Sequence, residues 1–142
     1  MRFLKQNIFV LLLILFSAFA LADLLHPGFP VTHDGQDHIA RIANFYTSLK
    51  EGNLIPRWAA NLNWGYGHPI LMFLYPLPSY IASIFIFLGA SFVDSVKIVF
   101  ALSFLLSVLG MYHWLREEFR DDIPAFAGAV LYGFSPYRFV DL

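Results

Sequence analysis

The chain contains no cysteine, which excludes disulfides, thiolate metal sites and cysteine nucleophiles. Charge is scarce too. Asp, Glu, Lys and Arg make up 13% of the 142 residues, against roughly 25% in a soluble domain. No sign of charge dominates either: the formal net charge is −1, so nothing points to a nucleic-acid partner. Apolar residues fill that space, with 58% hydrophobic and 18% aromatic. Such a composition reads as a membrane protein, and its Trp and Tyr suit the headgroup level, where a ring keeps one edge wet and one face dry.

The hydrophobic pattern predicts an all-α, multi-pass protein of the cell membrane. After a short cytoplasmic N-terminus (1–6), residues 7–25 are apolar except for Asp23, and about 20 residues at 1.5 Å each suffice to cross a core of about 30 Å. Ala20-Leu21-Ala22 also fits a signal-peptide cleavage site after a basic start. A second span is expected over 70–90. Pro76 and Pro78 should disturb its first turns, so that Tyr75-Pro76-Leu77-Pro78 either lines a polar cavity or forms a plain interfacial kink. A third span, 96–115, ends in Tyr112-His113-Trp114, an aromatic belt, followed by a charged loop from Arg116 to Asp122. Residues 123–142 then begin a further membrane helix that stops early. There Ala125, Ala129 and Gly133 offer a small-residue face, and the chain reads as the N-terminal part of a longer protein. Arg2 and Lys5 place the N-terminus inside and residues 26–69 outside. Arg116 and Arg120 fit that rule only if the second segment is re-entrant.

Against this background one stretch stands out. Val31-Thr32-His33-Asp34-Gly35-Gln36-Asp37-His38-Ile39-Ala40-Arg41 gathers two carboxylates, two imidazoles and a guanidinium. Asp34 followed by Gly35 reads as the N-cap of a helix over 35–51, with Asp37 as a capping-box variant and Gly52 as a stop. At about 100° per residue, Asp34, Asp37, His38 and Arg41 share one arc, and Ile39, Ile42, Tyr46 and Leu49 lie opposite. The helix is amphipathic, apolar toward the membrane or other helices and acid–base toward water. The plain reading is a cap, an i,i+4 ion pair and a solvated His38. However, His26, His33, His38 and His68 all fall in the same loop, so Asp34, Asp37 and one or two histidines could bind a divalent metal ion, although their spacing matches no specific metal motif. Downstream, Arg57 could grip a phosphate through paired hydrogen bonds, and Trp64 or Tyr66 could stack on a sugar, with His68 close by. The same loop could equally be an interfacial anchor with no ligand.

The order His-Asp-Gly-x-x-His-x-x-Arg, Leu-Lys-x-Gly-Asn-Leu-x-Pro-Arg-Trp, Gly-Tyr-Gly-x-Pro, Tyr-Pro-x-Pro and Ser-Pro-Tyr-Arg resembles the membrane proteins named 6-pyruvoyl-tetrahydropterin synthase-related. These are similar to the GT-C glycosyltransferases. The resemblance covers about residues 26–142 and implies no pterin activity. It implies GT-C-like N-terminal helices with an amphipathic helix in the first exoplasmic loop, a lipid-linked sugar donor, and Asp34 as catalytic base with Asp37 in reserve. His38, Arg41, Arg57, Trp64, Tyr66 and His68 would then bind substrate, and no cofactor is required beyond a possible divalent ion. Two other function classes fit the same residues: a transporter or lipid-binding membrane protein without catalysis, and a small structural membrane protein.

Overall fold

A computed structural model describes residues 2–30 and 34–135. The described residues form five α-helices: α1 (Arg2–Ala20), α2 (Gly35–Lys50), α3 (Leu77–Phe87), α4 (Phe92–Phe119) and α5 (Asp122–Gly133). Among them the β-type pairing is an isolated antiparallel bridge between Ala59 and His68. The helices are distributed over two compact units, residues 2–30 with 100–135 and residues 34–99.

In the first unit the small-residue face of α5 finds its partners. Ala125 and Ala129 are fully buried and pack with Leu13 of α1 and with Phe104, Val108 and Tyr112 of α4. Gly133 allows a close approach: a Cβ there would lie 2.8 Å from Val108 Cγ2. Rings close the rest, with Phe9 and Phe126 centroids 5.3 Å apart. At the other end of α5, Asp121 has extended backbone and its Oδ1 accepts from the Ile123 N–H at 3.0 Å, a true N-cap. Asp122 accepts from Tyr112 Oη at 2.9 Å and from Arg116 Nε at 2.6 Å. This corrects two expectations. Tyr112 is buried by α5 and is no part of an exposed belt, although His113 and Trp114 are exposed. The charged loop is mostly helix, because α4 continues to Phe119 before Arg120 takes a left-handed turn (φ 53°).

In the second unit α2 lays its apolar face on α3 and on the 53–72 segment. Phe45 is buried with Ala59 and Leu71, and Leu49, Leu62, Ile70 and Tyr80 surround them. The Phe45 and Tyr80 rings meet edge to face at 4.8 Å, a favoured aromatic geometry. Tyr80 also donates from its hydroxyl to the Leu54 carbonyl at 2.6 Å.

One described helix, α4, is long and apolar enough to cross a membrane. Its 28 residues reach about 42 Å at 1.5 Å each, and Asp94 and Lys97 near its start and Arg116 to Glu118 near its end flank the apolar stretch. The other apolar helices are shorter: Asn7–Ala20 and Leu77–Phe87. The first expected span does not run on to residue 25, because α1 ends at Ala20 and a 3₁₀ turn occupies Ala22–Leu25. The second, expected over 70–90, is a regular helix only from Leu77 to Phe87. Pro69 opens a separate 3₁₀ turn over Pro69–Met72, and Pro78 sits in the first turn of α3, where a missing N–H costs nothing. Eleven residues reach about 16 Å, well short of a crossing. Several crossings are therefore not evident in the described helices. The early end of the last expected helix, Pro136 to Arg138, lies outside the described residues.

Candidate functional site

The helix expected over 35–51 runs Gly35–Lys50, with Asp34 at its N-cap. The Asp34 side chain makes no capping hydrogen bond, because its backbone (φ −118°, ψ 6°) is not the extended conformation that aims a cap oxygen at the first turn. The helix instead starts on the backbone, His38 N–H donating to the Asp34 carbonyl at 3.0 Å.

Asp37, His38 and Arg41 come together on the first turns of α2. Arg41 Nη2 lies 3.6 Å from Asp37 Oδ2, an ion pair too long for a direct hydrogen bond and, at a partly exposed site, worth about 0–1 kcal/mol. His38 titrates below its ordinary 6.5. Partial burial is the main cause and the Arg41 guanidinium adds to it, while the Asp34 and Asp37 carboxylates oppose both without cancelling them. The imidazole is thus held neutral at pH 7 beside a carboxylate pair and a cation. Among the described residues no three His, Asp or Glu side chains converge as a metal ion would need. His33, the other imidazole of the motif, lies outside the described residues, and His26 belongs to the first unit.

The remaining sequence candidates are placed elsewhere in the second unit. Arg57, Trp64, Tyr66 and His68 sit on the segment that packs against the C-terminal half of α2, through Phe45 and Leu49 on one side and Asn44 on the other. The Ala59–His68 bridge pins its base, with reciprocal N–H to carbonyl bonds of 2.9 and 3.0 Å. At its tip Asn63 and Trp64 both adopt left-handed backbone (φ 53° and 59°), which costs about 1–2 kcal/mol per non-glycine residue. Trp64 is 97% exposed and Tyr66 83%. Arg57 and His68 are exposed.

Two hollows flank the C-terminal half of α2, and the sequence reading picked out neither as a site. One is an apolar groove of about 440 Å³ between α2 and α3, lined by Tyr46, Leu49, Tyr80, Ile84 and Phe87, with Lys50 at its edge. The Lys50 ammonium stands 5.9 Å from the Tyr46 ring centroid, within cation–π range. The other is a cleft of about 330 Å³ lined by amides, hydroxyls, Glu51 and Trp58. The polar spacing Asp37, Arg41, Asn44, Ser48, Glu51 is a signal that could have revealed it, since steps of four, three, four and three residues fall on one helix face.

No family model and no solved structure matches the chain. It is similar to an uncharacterised protein of Lactococcus lactis subsp. cremoris (strain MG1363), at 24% identity over 146 aligned positions. That match covers 99% of this chain and 24% of the relative, so the chain spans about a quarter of the length of the curated relative it matches.

Proposed function

We infer that the chain is part of a multi-pass membrane glycosyltransferase of GT-C type, using a polyprenyl-phosphate-linked sugar at the outer face of the cell membrane. The observation that carries this reading is the acid–base cluster at the start of α2, where Asp37, His38 and Arg41 lie within one turn and Asp34 acts on the same imidazole. Asp34, with Asp37 in reserve, takes the proton of the acceptor hydroxyl. The acceptor oxygen forms a new bond to the anomeric carbon as the bond from that carbon to the phosphate oxygen breaks, and the polyprenyl phosphate leaves with the electron pair. It is a good leaving group, so one base and one cation suffice. Arg41 or Arg57 supplies the cation, or a divalent ion takes that role. Membrane lipids are the expected surroundings, and the apolar length of α4 is consistent with that.

The test is sugar transfer by the longer protein containing this chain, with a radiolabelled polyprenyl-phosphate sugar as donor. Asp34→Asn should abolish transfer with the fold intact, and normal transfer by that variant removes Asp34 as base. A second reading, a lipid-binding or transport protein without catalysis, is favoured by the apolar groove with Lys50 at its edge. Under it, Lys50→Ala should weaken binding of an anionic lipid, and no variant should affect a transfer reaction.

A further inference from the structure

The cleft beside the C-terminal half of α2 belongs to no step of that reaction, and its chemistry is distinctive. Its floor is rigid. Asn44, only 7% exposed, donates from Nδ2 to the Ala40 carbonyl at 2.9 Å and accepts the Asn61 N–H on Oδ1 at 2.8 Å. Asn53 is likewise fixed, donating from Nδ2 to Ser48 Oγ at 3.1 Å and accepting the Ile55 N–H at 3.3 Å. Both walls, one from α2 and one from the 53–61 segment, are therefore tied together by amides, and apolar contact is not the only bond between them.

Three polar side chains lining the cleft make no such bonds within the described residues: the Asn61 amide, the Glu51 carboxylate and the Trp58 indole N–H. Together they offer donors and acceptors in one small space. Trp58 is 52% exposed yet held in place, because the backbone of Gly67 lies directly against it. A Cβ at Gly67 would stand 2.2 Å from the indole nitrogen, and its φ of 81° favours glycine besides. An indole braced on one side and lining a polar cleft is a stacking platform, and a volume of about 330 Å³ falls within the roughly 300–1,000 Å³ typical of small-molecule sites. No Lys or Arg lines it, and its charged lining residue is Glu51, so anions are disfavoured.

We propose that this cleft binds an uncharged sugar ring, with the C–H face on Trp58 and the hydroxyls bonded to Asn61 and Glu51. A hydroxylated ring has alternating donors and acceptors along its rim and an apolar face, which is the complement of this lining. None of these residues belongs to the acid–base cluster, so the proposal stands or falls apart from the transfer reading. Loss of transfer in Asp34→Asn should leave sugar binding here unchanged.

The test is titration of the whole chain, in detergent micelles, with glucose, mannose, galactose and N-acetylglucosamine. Saturation-transfer NMR and the indole N–H resonance of Trp58, assigned with Trp58→Phe, report binding. At least one of these sugars should bind saturably in the millimolar range and shift the Trp58 resonance. Asn61→Ala and Glu51→Gln, exposed positions whose truncation leaves the core untouched, should each weaken it severalfold. Gly67→Ala, which displaces the indole, should weaken it about tenfold, a change of roughly 1.4 kcal/mol. Absence of saturable binding by all four sugars overturns the proposal. So does binding that Asn61→Ala and Glu51→Gln both leave intact, or a sugar phosphate or alkylamine that binds the cleft more tightly than any neutral sugar.

Discussion

The two units are closed with opposite materials. In the first, alanine and glycine of α5 meet leucine, valine and rings of α1 and α4, and the polar groups at one end are paired with one another around Asp122. In the second, aromatic and aliphatic contacts on one face of α2 are matched by amide bridges on the other, and hollows remain on both sides of its C-terminal half. Small-residue packing brings backbones close. The looser, mixed construction of the second unit leaves cavities, which is where binding can occur.

That contrast can be broken most forcefully at Phe45. Replacing this buried ring by alanine should cost about 3–5 kcal/mol and should raise hydrogen exchange in α2 and α3. Exchange in α1 and α5 should stay slow, and equal acceleration everywhere would mean that the units are not separate. In the first unit, Ala129→Leu forces a branched side chain into a closed face and should cost about 1–3 kcal/mol, read from denaturant midpoints in micelles. Tyr112→Phe removes the hydroxyl from Asp122 and should cost about 1 kcal/mol, a low figure for a charge-assisted bond because Asp122 is partly exposed.

The second unit should carry a pH signature. Because the folded His38 binds its proton more weakly than the unfolded chain does, its contribution is fully present above pH 6.5 and is lost as pH falls through the depressed folded value. Stability should therefore rise with pH across that window, and His38→Gln should flatten the rise in pH-dependent melting curves. The smallest effect is expected at Trp64. Trp64→Ala should change stability by no more than about 0.5 kcal/mol while lowering partition onto lipid vesicles if the indole sits at the headgroups.

The helical class and the position of α2 could be read from the chain because both rest on local signals: apolar period, an Asp-Gly start and Gly52 as a stop. The ion pair of Asp37 with Arg41 was likewise visible in its i,i+4 spacing. The lengths of the apolar helices were not. Hydropathy counts residues and ignores where the backbone ceases to be helical: the 3₁₀ turn over Pro69–Met72 and the start of α3 only at Leu77 leave that helix shorter than its apolar run. The burial of Tyr112 was hidden because it depends on Asp122, ten residues away across a turn. The polar cleft was half legible: the spacing along α2 marks one wall, but Asn44 and Asn61, which join the walls, are seventeen residues apart.

The left-handed pair at Asn63 and Trp64 sets stability against use. Glycine at both sites would relax the backbone, and such a variant should melt at a higher temperature than the natural chain. The same variant removes an indole that is 97% exposed, so a thermostabilised loop should lose the lipid partition expected of Trp64.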